Sequence, residues 1–477
     1  MGNVRRLNYG MMTAIIFIIL QHSLTVYADS SHYTEHRITF ESSDHTAVNG
    51  SLLIPHGAGP HPAVILIHGA GPRDREELRA EAEIFTTSGI AAFIYDKRTD
   101  GYSADGMGEH SRSYSLLADD VLAAVHALQS WEELDQDHIG VWGFSEGGWV
   151  APLAASRSDE VAFVITVGAS GIAPAQQTSW AMENEFRHQG ITAESFIHSI
   201  SRKGLGFLVS AGFFAESTYD PQPPLVELHQ PLLAIWGNME RVSPPLESYL
   251  AMKEALDHGG HESYTFLFVP DADHGLRFSP DGFVSSEQFV AGYPEEMIAW
   301  LKDVIKGEEL ATNVVIGDPP QQNYYSSSEA IESSWVDSVW LHLGNLVLFV
   351  VLSLSYFVIA SLRLFTKNKV NHPHTRLLWY ARIAAILLMV TPLFYFGYFG
   401  YVMMTYEPGP VLMGRPIPWL ILQLLSVATI VFIILLTVSW SYTRSIITGA
   451  DRVRFSFLVI GGVLFIPWAL YWHILSV

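Results

Sequence analysis

The sequence predicts an α/β domain with a mostly parallel sheet, followed by an all-α membrane region. Short β-rich runs alternate with helical patterns from about 36 to 306, which is typical of a parallel sheet with helices on both faces. From 338 to 477 long apolar runs dominate, and the only acidic residues are Glu407 and Asp451. The high hydrophobic content, 49%, therefore belongs largely to the C-terminal part, and the formal net charge of −21 belongs mainly to the part before it.

Residues 1–28 have the pattern of a signal peptide. Arg5 and Arg6 supply a positive start, 11–20 is a short apolar run, and Ala28 provides the small residue that cleavage requires. The apolar run is well short of the roughly 20 residues needed to span a bilayer. We therefore expect export, with an uncleaved anchor as the alternative.

Residues 29–306 are predicted to form the α/β domain. Several candidate strands are nearly continuous apolar runs, as expected for strands buried on both faces. They lie at 36–40, 50–54, 63–68, 91–95, 139–143, 162–167, 232–236 and 265–269. Helical patterns lie between them, at 75–87, 115–130, 146–155, 246–256 and 294–305.

Two segments depart from this alternation. Helical patterns without a good strand indicate an inserted cap at about 170–228, of the kind that commonly roofs an active site. Its end, Tyr219 to Pro224, contains three prolines and breaks helices. Residues 307–336 are polar and lack periodicity, so we expect a linker there.

Residues 337–477 are predicted to form a membrane domain, which makes the lipid bilayer a partner. Four segments, 339–362, 377–403, 417–438 and 455–475, are close to or above spanning length. Buried helices of a soluble domain are the alternative interpretation.

Loop charge predicts the orientation of these spans. The connections after the first and third spans are basic, whereas the second carries only Arg415 and the linker carries no Lys or Arg. By the positive-inside rule the basic connections are cytoplasmic, so the α/β domain is extracytoplasmic on a multi-pass cell-membrane protein. The basic residues are Arg363, Lys367, Lys369 and Arg376, then Arg444, Arg452 and Arg454.

Composition excludes several classes of chemistry. The chain has no cysteine, so disulfides, thiolate metal sites and a cysteine nucleophile are excluded. Its acidic balance argues against a nucleic-acid partner. No His, Asp or Glu cluster has metal-ligand spacing, and no G-x-G-x-x-G follows a first strand, so we expect neither a metal nor a cofactor. The oligomeric state stays open.

The most informative motif is Gly143-Phe144-Ser145-Glu146-Gly147, a G-x-S-x-G sequence. A predicted strand precedes it and a predicted helix follows it. This context is typical of a tight turn that exposes a nucleophilic serine at its tip, with glycines where backbones approach closely. We therefore predict Ser145 as a nucleophile.

With three further segments, 68–72, 95–98 and 273–275, the motif resembles the α/β-hydrolase superfamily, in its dienelactone-hydrolase-like bacterial carboxylesterase branch. The resemblance covers about 35–306. It implies an α/β-hydrolase fold with a cap, in a protein of bacterial origin. It also implies a base in the loop after the last strand, which is where His274 lies.

The resemblance further implies an acid after the preceding strand, where Glu240 follows Gly237. Relatives usually have Asp there, so Glu is a departure. A surface glutamate paired with Arg241 is the alternative, and Asp271 and Asp273 are rivals that lie close in sequence to His274. By the same resemblance the backbone N–H groups of Ala70 and Glu146 form the oxyanion hole.

The predicted function is hydrolysis of carboxylic esters through an acyl-enzyme on Ser145, with a small-molecule ester as substrate. A serine exopeptidase or amidase of the same fold is an alternative, which would take a short peptide and grip its amino terminus with acids such as Glu183 and Glu185. A non-enzymatic membrane protein with a hydrolase-like binding domain is a third possibility.

Overall fold

The structure is a computed structural model that describes residues 32–98, 113–308, 313–320, 331, 334–365, 375–443 and 449–476. The predicted signal peptide, 1–28, lies outside the described residues, as do Lys367, Lys369 and Arg444 of the basic connections.

Nine strands of the described residues form one sheet in the order β1-β2-β4-β3-β5-β6-β7-β8-β9. Strand β2 is antiparallel to both neighbours, and the pairs from β4 to β9 are parallel. The carboxyl ends of the parallel strands therefore meet at one edge, where ligands bind in open α/β sheets. The strands are β1 (Tyr33–Glu41), β2 (Ala47–Pro55), β3 (His61–Ile67), β4 (Ala91–Tyr95), β5 (Leu134–Phe144), β6 (Val164–Val167), β7 (Leu232–Gly237), β8 (Tyr264–Val269) and β9 (Val314–Ile316).

Both faces of the sheet's central strands are buried, which explains their continuous apolar runs. Along β3, Ala63, Ile65 and Ile67 belong to one hydrophobic core, whereas Val64 and Leu66 belong to the core on the opposite face. The α-helices of the described residues are α1 (Arg79–Thr86), α2 (Tyr114–Leu128), α3 (Gly147–Ala155), α4 (Pro174–His188), α5 (Glu194–Ile197), α6 (Leu205–Ser210), α7 (Gln222–Val226), α8 (Pro245–His258), α9 (Tyr293–Ile305), α10 (Val339–Phe365), α11 (Thr375–Thr405), α12 (Ile417–Thr443) and α13 (Ala450–Tyr471). Helices α2, α3, α7 and α8 pack on one face of the sheet, and α1 and α9 pack on the other. Helices α4–α7 form the insertion, and α10–α13 form the C-terminal bundle.

The four bundle helices are long and apolar enough to cross a membrane. Their candidate spans have mean hydropathies between 1.8 and 2.7. A two-stranded hairpin, Val411–Leu412 with Arg415–Pro416, joins α11 to α12. The predicted fold class, a capped α/β-hydrolase domain plus four C-terminal helices, is confirmed by this architecture.

The insertion between β6 and β7 packs into the bundle as well as over the sheet. A π-helical turn, His198–Gly204, joins α5 to α6. Phe186, Phe196 and Phe207 of the insertion share one hydrophobic core with bundle residues that include Tyr395, Phe399, Trp419 and Trp472. The cap therefore forms a continuous junction between the two parts of the molecule.

Parts of the segment 307–336, where the sequence predicts a linker, form secondary structure. Val314–Ile316 forms β9, which pairs in parallel with β8 at the edge of the sheet, and Trp335–Asp337 forms a helical turn. Three apolar residues are too few to show a strand period, so pattern reasoning could not detect this edge strand.

Candidate active site

Ser145 lies at the tip of a sharp turn between β5 and α3. Its φ is +52°, a left-handed conformation that is uncommon for a residue with a side chain. Its N–H donates to the carbonyl oxygen of Val167 at 2.8 Å. A Cβ on Gly143 would lie 2.1 Å from the carbonyl oxygen of Gly147, and one on Gly147 would lie 2.5 Å from that of Ile67. Only glycine permits this close approach, so the turn requires the G-x-S-x-G pattern.

His274 follows β8, and Glu240 follows β7. The Glu240 carboxylate accepts a hydrogen bond from Nδ1 of His274 at 2.7 Å. Its other oxygen accepts from the backbone N–H groups of Val242 and Ser243, at 2.7 and 3.0 Å. The carboxylate is fully buried, so these bonds hold both it and the imidazole in one orientation.

The alternatives to Glu240 make other contacts. Arg241 donates to the backbone carbonyl oxygen of Glu240. The Asp273 carboxylate accepts from the N–H groups of Gly275 and Arg277 and from the Ser285 hydroxyl, so it closes its own turn. Asp271 is exposed. The longer arm of glutamate is accommodated because its carboxylate caps the backbone that follows it.

One cavity of about 370 Å³ brings Ser145, His274 and Ala70 together. The ring of Phe144, next to the serine, lies 5.0 Å from the His274 ring between centroids. A Cβ on Gly168 would lie 2.7 Å from Cε1 and Nδ1 of His274, so a side chain there would displace the imidazole.

Lys97 is a site residue that sequence reasoning missed. Its ammonium donates to the carbonyl oxygen of Gly69 at 2.6 Å and to the Glu146 carboxylate, and both charged side chains are at most 3% exposed. In a trans peptide the N–H points away from the preceding C=O. Lys97 therefore orients the Gly69–Ala70 peptide so that the Ala70 N–H faces away from it, and it ties that loop to the residue after Ser145. The signal was a lysine two residues after a wholly buried strand.

His68 directly follows β3 and lines the same cavity. It is buried, and its Nε2–H donates to the carbonyl oxygen of Tyr95 at 2.8 Å. Burial lowers the pKa of His68 to about 4, because the protonated ring cannot be hydrated there. The imidazole is therefore neutral at neutral pH.

A second, outer cavity of about 780 Å³ shares Val242, His274, Gly275 and Arg277 with the first. Ala181 and Glu185 of α4 line it, so the cap borders the site. Gln177 of α4 also donates to the carbonyl oxygen of Val242 at 2.9 Å. Among the described residues, no group of three His, Asp or Glu side chains is placed to hold a metal ion.

Strand order, the serine turn and the His274 loop together define the first domain as an α/β-hydrolase. Residues 77–308 match the sequence profile of the prolyl oligopeptidase family (Peptidase_S9). The chain is similar to the esterase EstD of Thermotoga maritima, with 26% identity over 283 residues, which covers 55% of this chain and 64% of that esterase. The match thus spans less than two thirds of that relative's own length. The resemblance inferred from sequence is confirmed.

Two solved structures are also similar to this chain. An esterase from Pyrococcus furiosus is 19% identical with a TM-score of 0.42, covering 58% of this chain and 92% of that one. A dienelactone hydrolase from Anabaena variabilis is 19% identical with a TM-score of 0.38, covering 57% and 98%.

Proposed function

We propose that the protein is a serine hydrolase that cleaves carboxylic esters through an acyl-enzyme on Ser145. One observation carries the proposal. A serine on a strained turn and a histidine oriented by a buried carboxylate open into one cavity. A serine hydroxyl is a weak nucleophile until a base takes its proton, and this arrangement supplies the base.

The proposed reaction has two halves. His274 Nε2 removes the hydroxyl proton as Ser145 Oγ attacks the ester carbonyl carbon, while Glu240 stabilises the imidazolium through Nδ1–H. The tetrahedral intermediate then expels the alcohol, which takes the proton from His274. Water, deprotonated by His274, attacks the acyl-enzyme, and Ser145 regains its proton as the acid leaves.

The negative oxygen of each tetrahedral intermediate requires preorganised donors. We assign these to the N–H groups of Ala70 and Glu146, where one such donor contributes about 3–4 kcal/mol. Lys97 supports the assignment because it holds both loops through the Gly69 carbonyl and the Glu146 carboxylate.

The proposed location is the outer face of a cell membrane, after removal of residues 1–28. The hydrolase domain adjoins the bundle end where α10 starts and α11 stops. Arg376, Arg452 and Arg454 lie at the opposite end, near the starts of α11 and α13. A basic end opposite the domain favours an extracytoplasmic hydrolase by the positive-inside rule.

The prolyl oligopeptidase match favours peptide or amide cleavage as the second candidate. An amino-terminal grip needs acids that face the cleft. Glu185 lines the outer cavity, but Glu183 is buried and paired with Arg187 at 2.7 Å. Only one of the two predicted cap acids therefore faces the cleft, which supports an ester better than a peptide amino terminus.

Active-site labelling and a substrate panel test the proposal on the purified full-length protein. We expect a fluorophosphonate probe to label the wild type and not Ser145→Ala. We also expect turnover of acyl esters to exceed that of aminoacyl amides. Preferential amide cleavage would replace ester hydrolysis with the second candidate. Absence of labelling in folded protein would contradict both and favour a binding domain.

A further inference from the structure

We propose that the cleft draws its substrate from the bilayer surface, so that the substrate is a lipid ester held by its acyl chains in the outer leaflet. This inference rests on the proposed ester hydrolysis at Ser145. The inference adds the source of the substrate and its chemical class.

Shared lining residues link the cavity that contains the serine to a cavity that borders the membrane domain. The inner cavity, which contains Ser145, and the outer cavity both include Val242, His274, Gly275 and Arg277. Tyr406 also lines the outer cavity. Tyr406 directly follows α11, so part of the cleft wall lies at the end of a candidate membrane span.

Exposed aromatic side chains locate the bilayer surface at the same end of the bundle. Trp335, in the turn before α10, is 79% exposed, and Trp340, at the start of α10, is 80% exposed. Tyr401 of α11 and Tyr406, just after it, are also exposed. Trp and Tyr concentrate at membrane–water interfaces because one part of the ring system is apolar and the other is polar. A residue that lines the cleft thus belongs to the aromatic belt at the interface.

The junction fixes the height of the cleft above the membrane. The Tyr395 and Ser199 hydroxyls are 3.1 Å apart inside the shared core. The Thr192 and Ala193 N–H groups both donate to the Gly414 carbonyl oxygen, at 2.9 and 3.1 Å. The Ser210 hydroxyl of the insertion donates to the Asp337 carbonyl oxygen, just before α10, at 2.8 Å. A single span would tether the domain, but these contacts also hold its orientation, which gives the four helices a physical role.

The lining of the outer cavity fits the ester region of a lipid. Ala181, Val242 and Phe283 offer apolar surface, and Glu185, Arg241 and Arg277 offer polar groups beside it. The boundary between acyl chains and headgroups has the same mixed character. The outer cavity borders the interface and has both apolar and polar lining. This combination suits an amphiphile that keeps part of its acyl chains in the bilayer.

The test compares substrates by presentation. Full-length protein is reconstituted into vesicles that contain a pyrene-acyl phosphatidylcholine and a pyrene-acyl diacylglycerol, and p-nitrophenyl acetate reports turnover of a soluble ester. We expect hydrolysis of at least one lipid ester in the enzyme's own bilayer, and at least 10-fold slower hydrolysis when that lipid is supplied in separate vesicles. Turnover of p-nitrophenyl acetate without cleavage of either lipid would overturn the lipid inference alone. Loss of all turnover would overturn the proposed function.

Tyr406→Asp provides a second arm, because it places a charge at the entrance from the bilayer. We expect the ratio of own-bilayer lipid turnover to soluble-ester turnover to fall about 10-fold. Tyr442→Asp, at the opposite end of the bundle and 85% exposed, is the matched control and should leave the ratio unchanged. An equal fall of both activities in Tyr406→Asp would contradict entry from the membrane side.

Discussion

The edge of the sheet and the cap–bundle junction are built by different interactions. At the sheet edge, hydrogen bonds and buried charges fix a few side chains, such as the Glu240–His274 pair and the Lys97–Glu146 pair. At the junction, aromatic rings interlock, and Phe207 lies within about 6 Å of Phe396, Phe399 and Trp472 between ring centroids. Directional hydrogen bonds hold individual reactive groups in place, whereas the burial of apolar surface joins large surfaces. The two regions should therefore respond to mutation in separable ways.

The largest separation is expected for Ser145→Ala. Removal of the nucleophile should lower kcat for a soluble ester at least about 10⁴-fold, as for other serine triads. Because the hydroxyl takes no part in the junction, the thermal unfolding midpoint of the full-length protein should stay within a few degrees. Residual ester turnover within 10-fold of wild type would refute the assignment of Ser145.

Glu240→Gln should follow, with a fall in kcat of about 10³-fold, because a neutral amide cannot stabilise the imidazolium and favours the wrong tautomer. Steady-state kinetics on the soluble ester measure the effect. Glu254→Gln, which changes an exposed glutamate on α8, is the control and should leave kcat unchanged. A comparable loss of kcat in Glu254→Gln would show that removal of any negative charge lowers activity, and would contradict a specific role of the contact with His274.

Lys97→Met should lower kcat about 10–100-fold with little change in KM, because the Ala70 N–H loses its orientation while the cavity remains. It should also destabilise the fold by about 3–5 kcal/mol, since Glu146 loses its buried partner. The double variant Lys97→Met/Glu146→Gln removes both charges and should recover stability without recovering kcat. Recovery of both stability and kcat in the double variant would show that Lys97 affects catalysis only through the stability of the fold.

Acid should weaken the sheet edge through His68. Its pKa is about 4 in the folded protein and 6.5 ordinarily. The unfolded chain therefore binds a proton between these values that the folded protein does not bind. Stability falls as pH falls through this window, by up to about 3 kcal/mol. His68→Gln should lose less stability between pH 6.5 and 4 than wild type in denaturant titrations, and equal losses would contradict the burial argument.

The smallest effect is expected at the junction, and it should spare the chemistry. A Cβ on Gly204 would lie 2.3 Å from the Phe399 ring, so Gly204→Leu should destabilise the cap–bundle contact by about 1–3 kcal/mol. Soluble-ester kcat should change less than 3-fold. Gly397→Ala, where a Cβ meets no neighbour within 4 Å, is the matched control in α11. A lower unfolding midpoint in the control, or a large loss of kcat in Gly204→Leu, would remove the distinction between the regions.

Local patterns predicted much of the hydrolase domain. The strand at 91–95 was predicted with its observed bounds, because an apolar run between Gly89 and Asp96 is visible in the sequence. Ser145 was identifiable because its turn requires glycines at fixed offsets. Its catalytic role, and those of Glu240 and His274, stay predictions.

Long-range contacts were beyond sequence reasoning. The Lys97 ammonium binds groups 28 and 49 residues away, at Gly69 and Glu146. The Ser199–Tyr395 contact spans 196 residues. A helical pattern shows that a segment has an apolar face but not which distant surface covers it. The cap was therefore predicted as a roof, and its second role in the junction was not.

The hydrogen bonds from Thr192 and Ala193 to Gly414 have a consequence for biosynthesis. The start of α5 obtains its backbone acceptor from a hairpin that the ribosome makes more than 200 residues later. At about 5–20 residues per second, the insertion waits on the order of ten seconds or more for its partner. Until then the bundle does not cover the phenylalanine side chains of the insertion. A chain truncated before the first span would therefore leave the insertion incomplete, with apolar rings exposed and prone to aggregate.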